Sequence, residues 1–156
     1  MRSIQKIKRL FWFAIASLFM MSASILLIPK AVEMGEQDSR VVVLIGIVFW
    51  VSAITGYVLI ALANAERRRF IYHKFDGKVK MDCLPGIATF FTNIPATLAD
   101  VTMMMSFLIF VVINFTSWRY DYISYVLLFL LVFSLNMHCL FNGRIYKTIK
   151  YKCARR

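Results

Sequence analysis

Asp100 and His138 are the residues whose types could do chemistry together, since a carboxylate and an imidazole can share a proton or orient a polar substrate. Asp100 stands in "FFTNIPATLADVTMMMSFLIFVVI", residues 90–113, and is the one carboxylate of the chain inside an apolar stretch. His138 lies in a second apolar run. Counting outward from Arg119, each is nineteen residues away. If the two runs are antiparallel helices joined by a short turn, Asp100 and His138 are level. Thr97, Asn136 and Asn142 are the further polar candidates at that depth. The alternative role for each is plain helix capping near water.

The elements that must position them are set by composition. The chain has 156 residues, 60% of them hydrophobic and only 17% charged, with a mean hydropathy of +0.68. Soluble domains carry roughly a quarter charged residues. Four apolar runs, 10–28, 41–63, 101–118 and 122–141, approach or exceed the roughly 20 residues needed to cross a bilayer as helix. The expected fold is all-α, an integral membrane four-helix bundle of two antiparallel transmembrane hairpins, forming a single domain over 1–156. "MRSIQKIKR" followed by an apolar run also resembles a secretory signal, but the run continues past Ser22-Ala23-Ser24 to Ile28, which favours a retained helix.

Charge orients these spans. The formal net charge is +11, and sixteen of nineteen cations fall before the first run, in the loop 64–100, or after the fourth run in the tail 142–156. Only Lys30, Arg40 and Arg119 fall on the other side. The positive-inside rule then places both termini and the middle loop in the cytoplasm of an inner or plasma membrane protein. Trp118, Tyr120, Tyr122 and Tyr125 mark the outer boundary. This distribution accounts for the positive charge without nucleic acid as a partner.

The depth of Asp100 turns on Pro95. A continuous helix from Ile87 to Ile113 would be about 40 Å long and would carry the carboxylate near its middle, where it costs roughly 2.5–3.5 kcal/mol and marks a functional site. A break at Pro95 would instead start a helix at Thr97, with Asp100 in its first turn and "TLAD" as the cap pattern. The missing N–H of Pro95 favours the break. Upstream, Ile87, Phe90, Phe91 and Ile94 share one helical face and predict a short interfacial amphipathic helix before the third span. "FIYHKF" and "KVKMDCL" around Asp76-Gly77 are a weaker hairpin pattern.

Other signals concern packing and lipid. Ser52, Gly56 and Ala63 form a small-residue face that permits close helix approach, within the chain or between two copies. Arg67, Arg68, Arg69, Lys147, Lys150 and Lys152 are candidate contacts for anionic lipid. Cys83, Cys139 and Cys153 match no zinc spacing, so neither a metal site nor a cofactor is implied. Asn114-Phe115-Thr116 fits a glycosylation pattern at the end of an apolar run, where chance accounts for it. No Gly-rich phosphate loop, H-E-x-x-H or G-x-S-x-G is present, and no enzyme is expected.

The expected function is therefore a small multi-pass membrane protein of non-enzymatic type, acting by association as an accessory, regulatory or protective subunit. One alternative is a small oligomeric transporter or channel using Asp100 and His138. Another is a lipid-interacting protein with a basic cytoplasmic face. The partners implied are the lipid bilayer, anionic lipids, and another membrane protein or a second copy of the chain.

Overall fold

The computed structural model describes residues 2–35, 39–75, 89–115 and 121–151. All regular structure among the described residues is helical. Helix α1 covers Arg2–Ala23 and continues through a 3-10 turn, Ser24–Leu27, into the short α2, Ile28–Gly35. The long α3 covers Ser39–Phe75, α4 Ile94–Phe115, α5 Asp121–Asn142 and the short α6 Arg144–Tyr151. Among the described residues, four stretches are helices long and apolar enough to cross a membrane: Ser3–Glu33, Arg40–Tyr72, Ile94–Phe115 and Tyr122–Asn142.

The core begins at α1. Ile7, Phe11, Ala14, Leu18, Met21 and Ile25 are all buried, and they recur at alternating steps of four and three. That is the 3.5-residue period of a helix–helix seam. The facing seam of α3 is made of small residues, Ala53, Gly56 and Ala63, with Ile60 partly buried between them. Large side chains of α1 therefore fill hollows left by α3. At Gly56 the fit leaves no room for a side chain, since a Cβ there would stand 2.8 Å from Leu18 Cδ2 and 2.9 Å from its Cγ.

Polar contacts fix the register of this pair. Lys6 meets Glu66 at 2.5 Å, and the Ser17 hydroxyl donates to the Ser52 carbonyl at 2.8 Å. Helix α5 packs against α1 and against α4, whereas α4 has α5 as its main neighbour. Aromatic rings join α1 to the C-terminal end: Phe11 lies 5.9 Å from Phe141 and 6.0 Å from Tyr146.

The chain bends at Gly143 between α5 and the short α6. A Cβ there would meet the Cys139 carbonyl at 2.8 Å and the Leu140 carbonyl at 3.1 Å, so this junction favours glycine. Ile145 is buried on the core side of α6, and Tyr146 and Ile149 pack against the core.

Three local expectations are corrected. Phe70–Phe75 belongs to α3 and is helical, which removes the first strand of the hairpin pattern; its second half lies outside the described residues. Residues 89–93 are not helical, so no amphipathic helix runs through Phe90 and Phe91 into Ile94, while Ile87 lies outside the described residues. The helix starts at Ile94 instead of Thr97, which puts Pro95 in its first turn, where a missing N–H breaks no helical bond.

Candidate functional site

Asn93 explains where α4 begins. Its side-chain Oδ1 accepts the Ala96 N–H at 3.1 Å, and its carbonyl accepts the Thr97 N–H at 2.8 Å. These are the two bonds of an N-cap. Just before it, Phe91 has φ 55°, the left-handed region that a residue with a Cβ seldom enters. Such a conformation costs on the order of 1–3 kcal/mol. What it achieves is an orientation: the Phe91 N–H donates to Asp100 Oδ2 at 2.6 Å.

Asp100 lies six residues past Ile94, about 9 Å along the axis. That is neither the first turn nor the middle of the helix. It is 0% exposed, and its second oxygen, Oδ1, contacts Nδ1 of His138, itself 1% exposed. With Asp100 as a carboxylate, which only accepts, the His138 Nδ1–H is the donor. The Phe90 ring lies 4.7 Å from the imidazole, tilted by 36°, and covers it.

Asn142 follows His138 by one turn of α5 and is equally enclosed, at 1% exposure. Its Nδ2 lies 3.1 Å from His138 Nδ1 and 3.0 Å from the His138 carbonyl. Because Nδ1 is already a donor, the amide hydrogen goes to the carbonyl. Asn142 Oδ1 accepts the Thr92 hydroxyl, and Asn93 Nδ2 reaches Thr92 Oγ1 at 3.0 Å and the Phe141 carbonyl at 3.1 Å. The segment 90–93 is thus stitched to α4 through Asp100 and to α5 through Asn142 and Phe141.

Both Asp100 oxygens, the imidazole Nδ1 and the Asn142 amide are taken by groups of the chain, so the cluster anchors two helices and the segment entering one of them. Among the described residues no group of three His, Cys, Asp or Glu is placed to hold a metal.

The remaining candidates fall elsewhere. Thr97 is inside the first turn of α4 and is not the cap. Asn136 is turned toward α3, accepting the Tyr57 hydroxyl at 3.1 Å, with its Nδ2 on the Val132 carbonyl at 2.8 Å. Ser52, Gly56 and Ala63 lie against α1 within the same chain. Arg67 does not offer a headgroup contact: it is 4% exposed, because it continues the Ala53–Gly56–Ala63 register toward α1. Arg68, Arg69 and Lys150 are exposed, Lys147 is half-buried, and Lys152 lies outside the described residues. Asn114 donates to the Phe110 carbonyl at 2.7 Å.

Phe91, Thr92 and Asn93 are absent from the sequence-derived cluster. The signal for Asn93 is the order Asn-Ile-Pro, a strong N-cap residue two places before a proline suited to the first turn. Nothing in the sequence marks the Phe91 amide.

No family model, curated protein or solved structure matches this chain.

Proposed function

We propose that this chain is a non-enzymatic multi-pass protein of the inner or plasma membrane, acting by association as an accessory, regulatory or protective subunit. In this reading α1 with α3, and α4 with α5, are antiparallel transmembrane hairpins, and both termini and the connection between α3 and α4 are cytoplasmic. The contacts of Lys6 with Glu66, Ser17 with Ser52 and Asp100 with His138 support the pairing. The sixteen-to-three division of cations supports the orientation.

The observation that carries the reading is the enclosure of Asp100. A carboxylate whose two oxygens are both satisfied within the chain holds structure together and offers no vacancy to a solute. Apolar helix surface is what the spans offer to a partner. On α4, Leu98, Val101, Met105, Leu108 and Val112 are exposed at steps of three and four, the spacing at which helices pack, within a broader apolar face that also includes Met104 and Phe107. A transmembrane helix of a partner subunit fits such a stripe.

Purification of the full chain from its native membrane in mild detergent tests this. The expected result is one protein partner in fixed stoichiometry, retained by Asp100→Asn. The opposing result is a chain that purifies alone and, in liposomes, drives a coupled solute flux lost in Asp100→Asn. That second reading, a small transporter, is favoured by one observation: the cover over Asp100 and His138 is short, consisting of residues 90–93.

A further inference from the structure

Helix α1 has a second face with its own character. A groove of about 510 Å³ runs along it, lined by Gln5, Lys8, Arg9, Trp12, Phe13 and Ala16. These residues lie on the side of the helix opposite the Ile7–Phe11–Ala14–Leu18 seam, so the groove belongs to the outer surface of the fold.

Its chemistry is graded along the axis. Gln5, Lys8 and Arg9 come first, Trp12 follows one turn deeper, and Phe13 and Ala16 lead into the apolar run. Lys8 and Arg9 are exposed. Among the described residues neither has an ion pair or hydrogen bond, whereas nearby Lys6 is held by Glu66 at 2.5 Å. Two adjacent cations without a carboxylate partner among the described residues, above an aromatic and then an aliphatic wall, match the order of groups in a phospholipid: phosphate, ester, acyl chain. Tryptophan prefers the membrane–water interface.

We infer that this groove holds an anionic phospholipid, with Lys8 and Arg9 on the headgroup phosphate, Gln5 donating to headgroup oxygens, and Trp12 and Phe13 against the upper acyl chain. The inference rests on the membrane reading above. It assigns lipid recognition to α1, apart from the cations of α3 and α6. A second cation beside the first, and a headgroup with net negative charge, give a preference of roughly tenfold over zwitterionic lipid.

The test uses the full-length chain with Trp50→Phe and Trp118→Phe, which leaves Trp12 as the sole tryptophan. It is reconstituted into phosphatidylcholine vesicles containing either phosphatidylglycerol or phosphatidylcholine brominated near the ester, at equal mole fraction. Trp12 fluorescence is expected to be quenched by both, and far more by the phosphatidylglycerol. Adding Lys8→Gln and Arg9→Gln should remove the difference while leaving quenching by brominated phosphatidylcholine in place, which shows that the variant still inserts. Arg68→Gln should keep the difference.

Equal quenching by the two lipids overturns the site. So does a difference that survives Lys8→Gln with Arg9→Gln, because it would reflect the charge of the whole face. Loss of the preference on adding soluble glycerol phosphate would mean that the groove takes a free phosphate, and also overturns it. Quenching by neither lipid means that α1 is not in the membrane, and the membrane reading fails with it.

Discussion

Asp100 and His138, 38 residues apart in sequence, meet in a fully buried contact between α4 and α5. The same carboxylate holds the Phe91 N–H, so one side chain ties together α4, α5 and the segment that leads into α4. A left-handed phenylalanine is retained because its amide satisfies a buried acceptor, an exchange in which a hydrogen bond to a charged group, about 1.5–3 kcal/mol, offsets the strain.

His138→Ala is expected to be the most damaging substitution in the cluster. It strands one oxygen of a buried carboxylate and leaves a cavity under Phe90, a loss of about 3–5 kcal/mol. Asp100→Asn keeps an acceptor for the Phe91 N–H and is expected to cost about 1–2 kcal/mol. Thermal unfolding in detergent micelles measures both. The double variant should be less destabilised than the sum of the singles by roughly 0.5–3 kcal/mol. Full additivity would mean that the two side chains do not act as a unit.

Asn93→Ala and Thr97→Ala separate two caps for the same helix. Asn93→Ala removes the acceptor for the Ala96 N–H together with the bond to the Phe141 carbonyl, and is expected to cost about 1–2 kcal/mol. Thr97→Ala should be close to neutral. Amide hydrogen exchange at Ala96 should accelerate in the first variant and not in the second.

The seam between α1 and α3 gives a steric test. Gly56→Leu places a large side chain where Leu18 already stands at 2.8 Å, and Leu18 is itself fully buried. A loss of about 1–3 kcal/mol or more follows from overpacking. Gly46 is the control, since a Cβ there meets nothing within 4 Å. Gly46→Ala should leave the melting temperature unchanged or raise it, given the better helix propensity of alanine.

How far all this is legible in the sequence differs from residue to residue. The four long helices are legible because apolar runs of that length admit few other structures. The common level of Asp100 and His138 is legible as well, from equal spacing about Arg119. That they face each other is not, because rotation about the helix axis depends on packing distributed over both helices. The small residues Ser52, Gly56 and Ala63 announce close approach but not to which helix; the partner is settled by the four-three spacing from Ile7 to Ile25, which can be read from the sequence only once α1 is known to pack. Arg67 shows the limit in the other direction. In a basic cluster it looks like surface charge, yet its place in the α3 register turns it inward. Thr97 carries the better-known motif and Asn93 the better position, and local pattern alone does not choose between them.

Orientation is open to chemical labelling. In a chain with Cys83, Cys139 and Cys153 replaced by serine, Lys150→Cys should react with an impermeant maleimide only from the cytoplasmic side, and Lys30→Cys only from the opposite side. The reverse pattern would contradict the topology read from the sixteen-to-three division of cations.

The central claim, association through apolar helix surface, is met most directly by photo-crosslinking in native membranes. A photoreactive residue at Leu108, on the exposed stripe of α4, is expected to give a discrete protein adduct of defined mass, while the same group at the buried Ser106 gives none. Adducts to lipid alone from Leu108, and equally from Leu98 and Met105, would contradict it.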